Sequence, residues 1–209
     1  MRHPFAAAAT GLVLLTGTMT GAAACSSTAA APPQHPITAA APSSPTPPPP
    51  ADSNPPGDIP DSQVYVPWSP PVGGFTVKVP EGWARTTHGH ETVFTDKFNS
   101  VRVADVRTTT APTVNSVRTH DVPALRAANS HFRLIKVVEV PRKGGTAVLA
   151  EYRADSAPNP VTGKRLTLDS QRYVFYKTGR GEAVLTLSGP VGADNVDPWR
   201  TVTNSFRWS

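Results

Sequence analysis

The chain contains a single cysteine, Cys25, and this thiol is the side chain whose surroundings point most directly to chemistry. A lone cysteine has no partner for a disulfide within its own chain. Its thiolate is a nucleophile and can be covalently modified. Cys25 also lies far from the part of the chain in which apolar residues alternate regularly. We therefore expect it to have a chemical function and not a packing function.

The residues that precede this cysteine have the organisation of a signal peptide. Arg2 supplies the positive charge, residues 5–19 are apolar or small, and residues 20–24 are all small. A segment of this kind directs export and is removed from the mature protein. It is too short and too rich in Ala, Gly and Thr for a membrane span, which needs about 20 strongly apolar residues.

Residues 22–25, three alanines followed by Cys25, resemble a bacterial lipobox. In that family of signals the cysteine thiol is diacylated and the peptide is cut just before it, so the resemblance implies lipidation of Cys25. Ala22 departs from the commonest lipobox, which has Leu at that position. The alternative is a cut after Ala24 in an Ala-x-Ala pattern, which would release the protein without a lipid.

Residues 25–61 are predicted to form a disordered stalk behind the modified cysteine. Twelve of the 24 prolines lie between Pro32 and Pro60, among Ala, Ser and Thr, and apolar residues show no periodicity there. Such a segment cannot bury enough apolar surface to fold. At about 3.1 Å per residue, some 35 residues in a polyproline II conformation reach up to ~100 Å from a membrane. The composition also permits O-glycosylation.

The best candidate for a metal site is the run of residues 88–91, which contains His88 and His90. Two imidazoles at positions i and i+2 of a strand face the same side and could share a cation. A third cluster of ligands is missing from the sequence, and His120 beside Asp121 is the only other pairing. We therefore predict no metal site and interpret residues 88–91 as an exposed loop.

Motifs for nucleophilic or cofactor chemistry are missing from the sequence. It contains neither G-x-S-x-G nor S-x-x-K, and no G-x-G-x-x-G follows a predicted strand. The pair at residues 163–164 lacks the upstream glycine of a phosphate-binding loop, because residue 158 is proline. The sequence therefore predicts no enzyme and no cofactor, unless a serine, a histidine and a carboxylate meet in space.

The region after the stalk, residues 62–209, is predicted to be one folded domain with a basic surface. It contains 19 lysines and arginines against 12 aspartates and glutamates, a net charge of +7. A basic domain can favour anionic membranes, acidic glycans or nucleic acid, and excess charge is also a common means of keeping a protein soluble. Because the segment before the domain predicts export, we expect no nucleic-acid partner.

Apolar alternation and turn residues predict strands separated by one helix and followed by a second. Pro123, preceded by Asp121 and Val122 as N-cap and first turn, marks a candidate break in the first helix. Two loops, residues 155–164 and 189–195, are the best candidates for a functional surface. This pattern predicts an α+β domain with a mainly antiparallel sheet flanked by two helices. The strands are predicted at residues 75–79, 92–96, 101–106, 133–140, 147–153, 166–177 and 183–187, and the helices at 114–128 and from about 194 to 206.

Two stretches of the domain resemble PsbP-like domains. Residues 74–83, GFTVKVPEGW, are similar to their opening F-x-V-x-x-P-x-G-W pattern, and residues 197–207, DPWRTVTNSFR, are similar to their closing helix with its S-F signature. Together with the signal, lipobox and stalk, the chain resembles the LpqN/LpqT lipoproteins of actinobacteria. The resemblance implies a PsbP-like α/β sandwich without catalytic machinery. Four aromatic residues in or next to these stretches are predicted to lie in the core: Trp83, Trp199, Phe206 and Trp208.

The sequence as a whole predicts an exported lipoprotein, anchored to the outer face of the cell membrane through acylated Cys25. Its domain is expected to act as a non-catalytic binding or assembly accessory of the cell envelope, with a protein, glycan or lipid partner. A carrier of a lipid or small ligand is the first alternative and a cell-wall hydrolase the second.

Mass spectrometry of the mature protein tests the anchor. We expect an N-terminal residue Cys25 whose mass is raised by two or three acyl chains, because several chains are needed for firm attachment. The Cys25→Ser variant is the control and should leave the membrane fraction. An unmodified N-terminus after residue 24 in the wild-type protein would overturn lipidation.

Overall fold

The computed structural model describes residues 57–159 and 161–209; Cys25, the signal peptide and the stalk up to residue 56 lie outside the described residues. The strands are β1 Tyr65–Trp68, β2 Phe75–Pro80, β3 Ala84–His88, β4 Glu91–Asp96, β5 Asn99–Val106, β6 Arg133–Arg142, β7 Gly145–Asp155, β8 Thr167–Lys177, β9 Gly181–Pro190 and β10 Arg207–Trp208. The helices are α1 Val114–Ser116, a π-helical turn Val117–Asp121, α2 Val122–Ala128 and α3 Val196–Ser205.

The strands form two antiparallel sheets. The large sheet has seven strands in the order β3-β4-β5-β9-β8-β7-β6, and the small one has three in the order β1-β2-β10. The predicted α+β class, with a mainly antiparallel sheet and two helical regions, is confirmed.

One face of the large sheet, which we call the first face, is covered by strand β2 and helix α3. Aromatic rings fill the space between them: the ring of Phe206 stacks on Phe175 at a centroid distance of 4.1 Å and contacts Phe75 at 5.4 Å and Trp208 at 5.1 Å. Phe206 is fully buried, as is Phe75. The predicted core role of Trp199 is confirmed as well, and Trp83 packs against this cluster.

The opposite face, the second face, is packed against the first helical region. Val117 of the π turn and Val122 of α2 pack on Val137, Val148 and Ala150, which belong to strands β6 and β7. Alternation along each strand places successive side chains on opposite faces, so Leu149 and its neighbours serve the first face. Two valines of β8 and β9 on the second face, Val174 and Val184, are buried as well.

The chain enters the domain beside the start of α3. The Asn195 side chain is buried; its Oδ1 accepts a hydrogen bond from the Ile59 amide at 2.9 Å, and its Nδ2 donates to the Gly57 carbonyl and to Asn99 Oδ1, both at 3.1 Å. Ile59 is buried in the core. Contacts of the domain therefore extend back to Gly57, before the predicted boundary at residue 62.

The first helical region spans the predicted residues 114–128, but its start and its irregularity differ from the prediction. Thr113 caps it, with a reciprocal pair of hydrogen bonds to Ser116. Asp121, the predicted cap, has helical dihedral angles and makes no capping bond. The helix is not broken at Pro123; instead the turn before the proline widens into a π turn, because proline lacks the amide that a regular turn requires.

Three short strands, β1, β3 and β10, were not expected from the sequence. Strand β3 is exposed at every residue, so it has no apolar alternation to reveal it. Strand β10 has two residues and is defined only by its pairing with β2. Strand β6 continues through Pro141, although it was expected to end there. Because β6 is an edge strand, the proline nitrogen, which has no hydrogen, needs no hydrogen-bond acceptor on the outer side of the sheet.

No helix in residues 57–159 or 161–209 combines the length and the apolar character needed to cross a membrane.

Candidate functional site

The second face presents polar side chains in two neighbouring rows. Across strands β5, β9 and β8, one row consists of Arg102, Thr186 and Arg172, which are direct cross-strand partners. The next row, on the same strands, consists of three serines: Ser100, Ser188 and Ser170. Neighbouring strands lie about 4.8 Å apart, so the two arginines flank the threonine with their Cα atoms roughly 10 Å from each other.

These rows form the floor of a cavity of about 400 Å³, which we call the arginine–serine groove. Leu125, Ala128 and Asn129 at the end of α2 form one wall, and residues 155–157 of the following loop form another. Because the floor is carried by three paired strands, its side chains are held by the most regular part of the fold. Its further lining residues are Glu91, Tyr152, Ala154 and Leu168.

Arg172 is the more buried of the two arginines. Its Nη2 donates to Asp121 Oδ1 at 3.3 Å, and 21% of its side chain is exposed. Its Nε is buried, and none of the described residues accepts a hydrogen bond from it. A buried donor without an acceptor costs about 1–3 kcal/mol. The groove therefore contains a guanidinium whose hydrogen-bonding capacity is only partly used.

Arg102 stands on the other side of Thr186. Its Nη1 pairs with the Glu91 carboxylate of strand β4, and 48% of its side chain is exposed. Each groove arginine thus has one carboxylate beside it, and each guanidinium has five N–H donors. The carboxylates orient the two cations and leave donors for an acceptor that enters the groove.

The hydroxyl groups of the groove are partly bonded to each other. Ser170 Oγ and Ser188 Oγ lie 2.8 Å apart. Burial raises the pKa of the Tyr152 phenol above its usual value of 10.0, although a hydrogen bond from Ser170 and the charges of Arg172 and Arg102 act against this. The phenol therefore stays protonated near neutral pH. In total the groove offers donors and short hydroxyls, which suits a ligand rich in acceptor oxygens.

The histidines that the sequence analysis considered lie outside this floor. His88 ends β3, His90 lies in the following turn and Glu91 begins β4, so residues 88–91 are the tip of a hairpin where an exposed loop was expected. The two imidazoles do not share one strand face. His90 Nδ1 is 3.0 Å from Asp105 Oδ2. His120 is exposed, and its neighbour Asp121 pairs with Arg172 instead. Within residues 57–159 and 161–209, no group of three or more His, Cys, Asp or Glu side chains is placed to hold a metal ion.

One further imidazole lies near the rim of the groove. His131 Nδ1 is 2.6 Å from Asp155 Oδ2, and Asp155 lines the groove. The His131 side chain is 84% exposed. In the part of the chain that the structure describes, the hydrogen bonds join no serine hydroxyl to an imidazole.

The first of the two predicted loops contributes to the site, and the second does not. Residues 155–157 form a wall of the groove, whereas residues 191–195 lie at the start of α3. The groove floor was missed because its residues lie within strands. Alternation in β5 and β8 does show that Arg102 and Arg172 face away from the apolar side, but only the strand order places them on either side of Thr186.

Comparison with known proteins gives likenesses of fold alone. No family model matches the chain, and no curated protein matches it. Similar solved structures include the cyanobacterial PsbP of Synechocystis, at 18% identity and a TM-score of 0.48, with 73% of this chain and 98% of that chain covered. LpqN of Mycobacterium tuberculosis, described as involved in cell envelope biogenesis, is similar at 13% identity and a TM-score of 0.43, with coverages of 70% and 91%. Values this low carry no argument about function.

The acid Glu182 on β9 provides a pH-dependent test of the charges around Arg172. Burial raises the pKa of its carboxyl above the usual 4.5, the Asp121 carboxylate raises it further, and Arg172 lowers it. At pH values between 4.5 and the raised pKa of Glu182, the folded protein binds more protons than the unfolded chain. Its free energy of unfolding therefore falls as the pH rises through this window.

The Glu182→Gln variant should remove this dependence. We expect it to be more stable than the wild type at pH 7 and equal to it below about pH 4, where the carboxyl is protonated in both states. Urea unfolding at several pH values measures the difference, and Glu139→Gln on exposed β6 controls for the loss of one negative charge. A difference in unfolding free energy between the wild type and Glu182→Gln that stays constant over the whole pH range would contradict the interpretation.

Proposed function

We propose that this chain is a non-catalytic binding accessory of the cell envelope. Acylated Cys25 anchors it to the extracytoplasmic face of the cell membrane, and the folded domain binds an envelope component. The observation that carries the proposal is the arginine–serine groove. Its two oriented guanidinium groups and its row of hydroxyls form a recognition surface on three rigid strands.

The chemistry of the groove favours binding over turnover. Serine hydroxyls need an adjacent base to become nucleophiles. The groove serines Ser170 and Ser188 bond to each other, and the neighbouring cations are arginines, which do not accept a proton near neutral pH. Fixed donors of this kind hold a ligand in place without activating a water or a hydroxyl.

The lipid-carrier alternative receives less support from the packing. A carrier needs a sizeable apolar pocket, usually between layers of the fold. Here the space between the large sheet and β2 is filled by Phe75, Phe175 and Phe206, which are all fully buried. The groove, in contrast, has an open and polar floor that suits a polar ligand.

Photo-crosslinking in living cells tests the binding function. A photoreactive residue in place of Ala128 lies in the wall of the groove and leaves both arginines intact, whereas one in place of Thr87 lies on the exposed strand β3. We expect a covalent adduct in the membrane fraction from position 128 only. The adduct should be lost when Arg172→Gln is added, because this change removes one of the two guanidinium groups.

The same experiment has outcomes that would contradict the proposal. Equal adducts from positions 87 and 128 would indicate collision and not recognition. A position-128 adduct that persists at full yield with Arg172→Gln would show that binding does not need the Arg172 guanidinium. Folding of each variant is checked by its urea unfolding midpoint.

A further inference from the structure

We propose a second binding site, for an acidic polysaccharide, along helix α3 on the first-face side of the large sheet. Two adjoining cavities flank this helix and share Arg200 and Asn204 as lining residues. Their volumes are about 510 and 430 Å³. We call their cationic side chains the basic ridge: Lys78, Lys136, Arg142, Lys143, Arg200 and Arg207.

The basic ridge concentrates the positive charge of the domain. Its six cations face two carboxylates in the lining of the cavities, Asp197 and Glu151. The ridge therefore carries a net charge of +4, which is more than half of the +7 of residues 62–209. The cations come from β2, β6, the turn after β6, α3 and β10, so the fold brings together charges that are scattered in the sequence.

Two arginines of the ridge are held in position by neutral acceptors. Arg142 donates to Thr203 Oγ1 at 3.2 Å, to the Pro141 carbonyl at 2.8 Å and to the Tyr173 hydroxyl at 2.8 Å. Arg207 donates to the carbonyls of Asn204 and Phe206 at 3.1 and 2.8 Å. Both guanidinium groups are thus oriented without being neutralised, and an arriving anion finds them already ordered.

The lysines of the larger cavity are free of internal counter-charge. Among the described residues, no carboxylate lies within ion-pair distance of Lys78 or Lys143. The one ion pair in this cavity joins Arg200 to Asp197 at 3.2 Å, with both side chains more than half exposed. Exposed pairs of this kind contribute little, so Arg200 can exchange its partner for a ligand at small cost.

The shape of the ridge favours a polymer over a membrane surface. A flat layer of lipid headgroups would contact the rim of each cavity but not its interior. The two cavities lie next to each other, so a chain with repeated negative groups can place one group in each. The smaller cavity also contains Val140, Pro141 and Val196 beside its cations, and these apolar surfaces suit the C–H face of a sugar ring.

The site is separate from the proposed groove, which lies on the second face, so the two proposals can fail independently. Residues 26–209 are used, because they lack Cys25 and no acyl chain can then bring the protein to vesicles. Both core clusters consist of residues between Ile59 and Phe206, so this part of the chain retains its core. The probes are polygalacturonate, poly(glycerol phosphate), neutral dextran and phosphatidylglycerol vesicles.

We expect polygalacturonate to bind with an affinity that falls as salt is raised, and dextran not to bind. Poly(glycerol phosphate), which is acidic but has no sugar ring, should bind less tightly than polygalacturonate. The double variant Lys78→Glu/Lys143→Glu should weaken binding about tenfold or more, because it reverses two contacts with the polymer. The matched control Lys164→Glu/Lys177→Glu makes the same change in net charge on exposed residues elsewhere and should keep the wild-type affinity.

Three results would overturn this inference. The first is an equal loss of polymer affinity in the ridge variant and in the control variant. The second is binding of dextran as strong as that of the acidic polymers. The third is tighter binding to the vesicles than to either acidic polymer. The Arg172→Gln variant should bind the acidic polymers as the wild type does, since Arg172 belongs to the groove. Absence of the groove adduct from the protein with Arg172 intact, together with normal polymer binding, would count against the proposed function alone.

Discussion

Packing on both faces of the large sheet fixes where its polar side chains lie. The first face is closed by an aromatic cluster in which Phe206 joins α3 and the small sheet to strand β8. On the second face one irregular helical segment packs its valines on β6 and β7, and the buried Val174 and Val184 lie on the same face of β8 and β9. The polar rows of β5, β9 and β8 begin next to these two valines, and their regular spacing makes them a recognition surface.

Packing also explains why some small residues are required. Gly144 lies in the two-residue turn between β6 and β7, and a Cβ atom there would meet the Phe206 ring at 2.6 Å. The hairpin that forms the sheet edge is thus fitted against the centre of the core. Asn195 acts similarly at the other end of the domain, where its amide ties the entering chain to α3 and to Asn99 at the start of β5. Both contacts make the sheet a rigid support for the groove.

Much of the fold could be predicted from local patterns, because long strands alternate and helices carry caps. The α+β class and the seven longer strands follow from such signals. Strands β1, β3 and β10 could not be predicted, since pairing with distant residues defines them and their own side chains show no alternation. The groove depends on strand order in the same way: Arg102 and Arg172 are 70 positions apart in the chain, and only the β5-β9-β8 neighbourhood makes them flank Thr186. His88 and His90 share no strand face, because His88 ends β3 and His90 lies in the hairpin turn.

Hydroxyl-radical footprinting in native envelopes shows whether the arginine–serine groove is occupied where the protein works. The oxidation of Leu125 and Leu168, which line the groove, is compared between intact envelopes and the purified protein, with Val161, which is 90% exposed, as reference. We expect the two leucines to be protected in the envelope while Val161 is oxidised equally in both samples. Equal oxidation of the leucines in both samples would contradict this expectation.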